Sequence, residues 1–257
     1  MDAYPPLPVL REERAWIAVD KPPGLPVVAG RQREDRVSVR RALEVLRCEP
    51  LWVVHRLDRG TSGVLLLART AEAHRALSMA FEAGAVEKTY LAICQGTPPS
   101  SSGVVDVPLH AARKGKVRPA EAGEPGSRAA STAWRVLCSW NRPEGTVCLV
   151  EAHPRTGRTH QVRVHLRWLG LPLALDPLYG PRTPCLPLIR TPLHAAVLSF
   201  PDPTSGTRVV VTAPLAGDLQ AVLRSLERNG ETTRSTADPP GRTVSDQGPG
   251  AGRGWAG

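Results

Sequence analysis

Hydrophobic and polar positions alternate over residues 15–20, around Ile17 and Val19, and the Pro22-Pro23-Gly24 cluster stops that short strand in a turn. Ser38 stands where a helix N-cap belongs, ahead of an apolar stripe of Val39, Ala42, Leu43 and Leu46. Two apolar runs, 51–55 and 63–68, read as strands, and the stretch 56–62 between them is short, polar and glycine-containing. A helical period over 71–83 buries Ala73, Ala76, Leu77, Ala80 and Phe81, and a strand over 88–94 follows, with Tyr90 and Leu91 on opposite faces. Further strands are predicted at 104–109, 131–138, 146–152, 194–200 and 208–212, and helices at 159–169 and 216–226. Residues 100–131, rich in Gly, Pro, Lys and Arg, read as a long surface loop. Strands outnumber helices without the regular alternation of a doubly wound fold, so the class is α+β, a largely antiparallel mixed sheet flanked by helices.

The pattern fades over 229–257, where Gly, Pro, Ser, Thr and Arg replace large apolar residues and burial cannot offset the entropy of ordering. A folded body over 1–228 with a disordered tail is expected. Lys and Arg total 33 against 24 Asp and Glu, a formal charge of +9, and the tail's own charges balance, so the positive excess belongs to the body. A polyanionic partner fits that excess, although an arginine-rich codon bias would produce it too. The five cysteines are scattered, with no C-x-x-C pair, and read as reduced core residues. Neither a signal peptide nor a membrane span is recognisable, which points to a cytoplasmic protein. A monomer is the default expectation.

Three segments concentrate chemistry. In His55-Arg56-Leu57-Asp58-Arg59-Gly60-Thr61-Ser62-Gly63, a carboxylate is flanked by two arginines between apolar strands, where cationic neighbours can keep it ionised. A turn aspartate bonding its own backbone is the plain alternative. In Glu87-Lys88-Thr89-Tyr90-Leu91-Ala92 the tyrosine enters a strand and, on local evidence, is core. In the run from His153 through Arg158, Thr159, His160, Gln161 and Arg163 to Leu166, no carboxylate occurs until Asp176. As a helix it puts Val162, Leu166 and Leu169 on one stripe and Thr159, Arg163 and Arg167 on another, a face equally suited to water or to RNA phosphates. His160 and His165, five apart, do not share a face, so no metal site is expected. Arg113, Lys114, Lys116 and Arg118, and Arg31 to Arg41, could extend a phosphate-binding surface. There is no phosphate-cradling glycine loop, dinucleotide fingerprint or serine elbow.

These segments, in this order, resemble the RluA-type pseudouridine synthases. The matching stretches are Asp20-Lys21-Pro22-Pro23-Gly24-Leu25, His55 to Gly63, Glu87 to Ala92, Gly157 to Leu166 with Asp176 and Leu178-Tyr179-Gly180, and Leu193-His194-Ala195. Together they span about residues 15–215. Leu171, Leu175 and Asp202 depart from the family's usual His, Gly and His. The resemblance implies the pseudouridine-synthase catalytic fold and isomerisation of uridine within RNA, tRNA or rRNA, without cofactor or metal. It implies Asp58, Tyr90 and Arg163 as catalytic, with Arg163 paired to Asp58 and Arg56 filling the space of the extruded base. Lys21, His55, Thr61, Ser62, Arg158, His160 and Gln161 fall on motif positions with structural or RNA-binding roles. Because the first motif begins by Asp20, an additional N-terminal RNA-binding domain is not expected. Two other classes compete: a non-catalytic RNA-binding or RNA-folding factor on the same scaffold, and a nucleoside or sugar hydrolase, which usually needs two carboxylates.

Overall fold

The computed structural model describes residues 6–30, 37–181, 183, 185–229, 231–234 and 243–244. In chain order the elements are β1 (Val9–Glu12), β2 (Trp16–Lys21), α1 (Val39–Arg47), β3 (Trp52–Val53), β4 (Ser62–Ala68), α2 (Ala71–Glu82), β5 (Glu87–Gln95), β6 (Ser102–Asp106), β7 (Leu109–Ala111), β8 (Val117–Pro119), β9 (Ser131–Asn141), β10 (Val147–Pro154), α3 (Gln161–Trp168), β11 (Leu193–Pro201), β12 (Arg208–Thr212), α4 (Gly217–Asn229), β13 (Glu231–Arg234) and β14 (Thr243–Val244). The structure is α+β with mostly antiparallel strand pairing, as the periodicities require. It divides into two compact units, Met1–Lys88 with His194–Ala216, and Thr89–Leu193 with Gly217–Gly257.

In the first unit β2 pairs antiparallel with β1 and β4, β3 pairs antiparallel with β4, and β11 lies parallel to β4 and antiparallel to β12. β4 is buried at all seven positions, which is why its sequence, Ser-Gly-Val-Leu-Leu-Leu-Ala, is continuous rather than alternating. Its core gathers Trp16, Leu66, Leu77, Phe200 and Val211, with Trp16 and Phe200 edge to face at 5.0 Å. The indole N–H of Trp16 donates to Asp202 at 2.7 Å, and the same carboxylate accepts the N–H groups of Thr204 and Ser205. Asp202 therefore closes its own loop. Ser38 caps α1 by accepting the Arg41 N–H, as expected, and Val39, Ala42 and Leu43 are buried; Leu46, expected in that stripe, is 61% exposed because the helix ends within a turn of it. In α2 only Ala73 and Leu77 are fully buried; Ala76, Ala80 and Phe81 are half-buried at the border of the face.

In the second unit β5, β10, β9 and β6 run antiparallel in that order, over a core of Ala92, Cys148, Val150, Trp134, Val162 and Leu166. Residues 100–131 are not a plain loop: they hold β6 and the β7–β8 hairpin, whose Leu109 and Val117 pack with Val164 and Tyr179. Two widely spaced apolar residues are enough to anchor a hairpin whose composition otherwise looks like loop. Within the expected tail, β13 pairs antiparallel with β9 and β14 parallel with β6; the rest of that stretch, like Arg31, Arg33 and Arg36, lies outside the described residues. Among the described residues no helix is long and apolar enough to cross a membrane.

Candidate active site

Asp58 sits half-buried in the turn before β4, and the chain around it is fastened at several points. Thr61 N–H donates to the Asp58 carbonyl at 3.0 Å, closing the turn. Lys21, completely buried, donates from Nζ to the carbonyls of Pro22 at 2.7 Å, Leu25 at 2.8 Å and Arg59 at 3.2 Å. An ammonium has three N–H donors, and these three acceptors draw the Pro-Pro-Gly turn and the Asp58 turn onto one charge. Gly24 and Arg59 lock the same junction reciprocally: Gly24 N–H donates to the Arg59 carbonyl, and Arg59 Nε to the Gly24 carbonyl, both at 2.8 Å. Lys21 is thus a brace, a role that a charged residue in a turn motif does not advertise.

The two ends of the loop are held by histidines. His55 Nε2 accepts the Leu66 N–H at 3.0 Å and its ring stacks on Phe81 at 4.8 Å. Burial, with the charge of Lys88, pushes its pKa down to about 3, so it is a neutral imidazole carrying its proton on Nδ1. His194, fully buried on β11, bonds Ser62 Oγ through Nδ1 at 2.9 Å and reaches the Ala213 carbonyl through Nε2 at 3.4 Å. That orients Nε2 as the donor and the serine hydroxyl as donor to Nδ1. Gly63, with φ of +108°, lets β4 and β11 meet: a Cβ there would lie 2.2 Å from the Ala195 carbonyl oxygen. Arg56 is exposed and, among the described residues, makes no ion pair.

In the second unit α3 is not the half-solvated helix that its basic stripe suggests. Gln161 to Leu166 are all buried, Arg163 included. Arg163 forms a bidentate pair with Asp176, Nε to Oδ2 at 2.7 Å and Nη2 to Oδ1 at 2.8 Å, and its guanidinium lies 5.0 Å over the Tyr179 ring. Asp176 Oδ1 also accepts the Leu178 and Tyr179 N–H groups at 2.9 and 3.1 Å. Tyr179 Oη takes the Val117 N–H at 2.7 Å and bonds His160 Nδ1 at 2.9 Å. Asp176 and Tyr179 thus both help to orient Arg163. The sequence signal for Asp176 was present: it is the first carboxylate after Glu151 in a stretch dense with cations.

Gln161 accepts from Thr156 and from Arg158 N–H, and donates to the Ser131 carbonyl and Thr132 Oγ1, so all four of its hydrogen-bonding positions serve the fold. His165 is equally enclosed. Its Nδ1 bonds Thr132 Oγ1 at 2.9 Å, its Nε2 donates to the Val107 carbonyl at 3.0 Å, and burial pushes its pKa down to about 4. Arg158 is exposed, with Nε on the Ala129 carbonyl at 3.1 Å. Tyr90 is half-buried on β5, packed at the edge of the second unit's core. Lys21, His55, Arg56, Asp58 and Thr61 therefore lie in the first unit, and Tyr90, Arg158, His160, Gln161 and Arg163 in the second.

The profile of the RNA pseudouridylate synthase family matches residues 15–168, more than half of the chain and both of the segments that hold Asp58 and Arg163. The chain belongs to that family. It is 45% identical over 175 residues to an uncharacterized RNA pseudouridine synthase of Chloroflexus aurantiacus, covering 68% of this chain and 53% of that one, about half of its length. It is 34% identical over 227 residues to the ribosomal large subunit pseudouridine synthase C of Vibrio parahaemolyticus, covering 86% of this chain and 69% of the relative. Among solved structures, human RNA pseudouridylate synthase domain containing 4 superposes with a TM-score of 0.69 at 27% identity, covering 86% of this chain and 93% of that one. The pseudouridylate synthase fold is thus shared, and the braced Asp58 turn lies inside the matched region.

Proposed function

We propose that this pseudouridylate synthase family member isomerises uridine to pseudouridine within an RNA chain, with Asp58 as the active-site carboxylate. The observation that carries the reading is the fastening of the Asp58 turn. A fully buried lysine, a neutral histidine and a serine–histidine pair converge on nine residues whose only acidic side chain is Asp58. Ordering of that kind is what a reacting group needs, since a displacement of about 1 Å can cost a hundredfold in rate.

In this reaction the N1–C1′ bond breaks, the uracil turns, and a C5–C1′ bond forms; C5 loses a proton and N1 gains one, so atoms and electrons balance without a cofactor. Asp58 serves as nucleophile or electrostatic partner at the ribose or base. Tyr90 stacks on the uracil or carries the proton between ring positions. Arg163, aligned by Asp176, supplies the positive charge that favours an ionised Asp58 in a desolvated site. Extruding the base costs a few kcal/mol for a paired uridine and less in a loop. Arg56 fills the space left behind, and Arg155 and Arg158, exposed and without a carboxylate partner among the described residues, are suited to flanking phosphates. His160, Gln161, Lys21 and His55 support these groups.

Large-subunit ribosomal RNA is the first substrate to test, because relatives carry it in their names, and tRNA is the second. Purified protein is incubated with unmodified transcripts of both kinds, and the RNA is scored for pseudouridine and for free uracil. Pseudouridine without released uracil is the expected result. Released uracil would favour a hydrolase, and tight binding without conversion would favour an RNA-binding or RNA-folding factor.

A further inference from the structure

Thr61 and Ser62 are neighbours at the start of β4, equally buried, yet their hydroxyls are treated differently. Ser62 Oγ is bonded to His194 Nδ1 at 2.9 Å; Thr61, 1% exposed, has an Oγ1 shut off from solvent with no hydrogen-bond partner among the described residues. A buried hydroxyl in that state has lost its water and gained nothing, so the stability of the fold alone would favour valine, which has the same shape without the O–H. An unmet polar group of this kind calls for a role outside the resting fold.

Its position supplies one. Thr61 N–H donates to the Asp58 carbonyl at 3.0 Å, and the ends of a turn closed in that way lie within about 7 Å from Cα to Cα. The two residues therefore start from neighbouring Cα positions, and rotation of the Thr61 side chain is the movement that would carry its unpaired hydroxyl toward the Asp58 carboxylate. An ionised carboxylate offers about four acceptor sites. Asp58 already has interactions in the resting fold. A nucleotide that engages one of its oxygens competes with those interactions, and a hydroxyl that only has to rotate can follow the carboxylate at little cost.

We infer that Thr61 is a positioning residue, its O–H held in reserve in the resting enzyme and donated to the Asp58 carboxylate once an extruded uridine occupies the site. This rests on the role proposed above for Asp58. It assigns Thr61 to the carboxylate rather than to the RNA.

Thr61→Val and Thr61→Ser are compared with the parent chain on a transcript that the parent converts, under single-turnover conditions, with filter-binding affinity and thermal midpoint measured on the same preparations. The valine variant is expected to melt at or above the parent's midpoint, to bind the transcript with unchanged affinity, and to convert it about ten- to hundredfold more slowly. The serine variant restores the rate. A parent-like rate in Thr61→Val overturns the inference while leaving the role of Asp58 standing. So does a lowered midpoint in Thr61→Val with a normal one in Thr61→Ser, because the hydroxyl then has a partner in the resting fold. A parent chain that converts no transcript is a separate failure: it removes the role of Asp58, and the inference falls with it.

Discussion

Several side chains that look like surface chemistry in the sequence act as internal braces. Lys21 and Gln161 are fully engaged by backbone and side-chain partners, and His55 and His165 are neutral because burial makes charging them expensive. The histidines have a consequence for stability. An unfolded histidine titrates near 6.5, while His165 in the fold titrates at about 4 and His55 at about 3. As pH falls below about 6.5 the unfolded chain takes up protons that the native state refuses, so stability is lost progressively until each folded pKa is passed. Ordinary carboxylates contribute only below about 4.5, which leaves the histidines as the main source of slope between about pH 6.5 and 5. Urea-unfolding free energies should therefore decline over that interval, by a kcal/mol or more per histidine. His165→Gln, which can still accept from Thr132 and donate to Val107, should flatten the decline; an unchanged slope in that variant would show that His165 is not held neutral.

At the scale of elements, the parallel pairing of β4 with β11 fixes where the Asp58 turn ends, and it depends on a single missing Cβ. Gly63→Ala would drive that atom against the Ala195 carbonyl at a backbone angle that other residues rarely adopt, so it is expected to cost at least about 2 kcal/mol. Gly206→Ala is the control: its φ is also positive, at +72°, but the added atom meets open space, and only the strain of about 1 kcal/mol remains. Equal losses in the two variants would mean that the β4–β11 approach is not tight. The elements themselves were largely legible, since periodicity places the ends of β4, α2, β5 and β12 within a residue or so of their observed limits. What it could not supply was partnership. The basic stripe of α3 reads as a face open to water or RNA because the carboxylate that pairs with buried Arg163 lies 13 residues downstream, across a turn that no period connects to the helix. β1 escaped for a related reason: an edge strand with four exposed or half-buried residues behind a proline-rich start has no apolar alternation to reveal it. Within the candidate site, the motif segments could be recognised in sequence, whereas the brace made by Lys21 and the unpaired hydroxyl of Thr61 required coordinates.

For the molecule as a whole, the proposed action on RNA, with a formal charge of +9 and exposed arginines that lack carboxylate partners among the described residues, predicts binding that weakens steeply with salt. Arg158→Ala should reduce the slope of log affinity against log salt by about 0.7 to 0.9, the share of one phosphate contact, while leaving stability nearly unchanged; an unaltered slope would remove Arg158 from the interface. Binding, however, would be common to an enzyme and to a passive RNA-binding protein. Isomerisation separates them, and in the proposed mechanism it depends on Asp58. The decisive measurement is single-turnover pseudouridine formation by Asp58→Ala on a transcript that the parent chain converts, with affinity for that transcript measured alongside. The account predicts parent-like binding with conversion reduced by at least about a thousandfold; conversion at the parent's rate would contradict it.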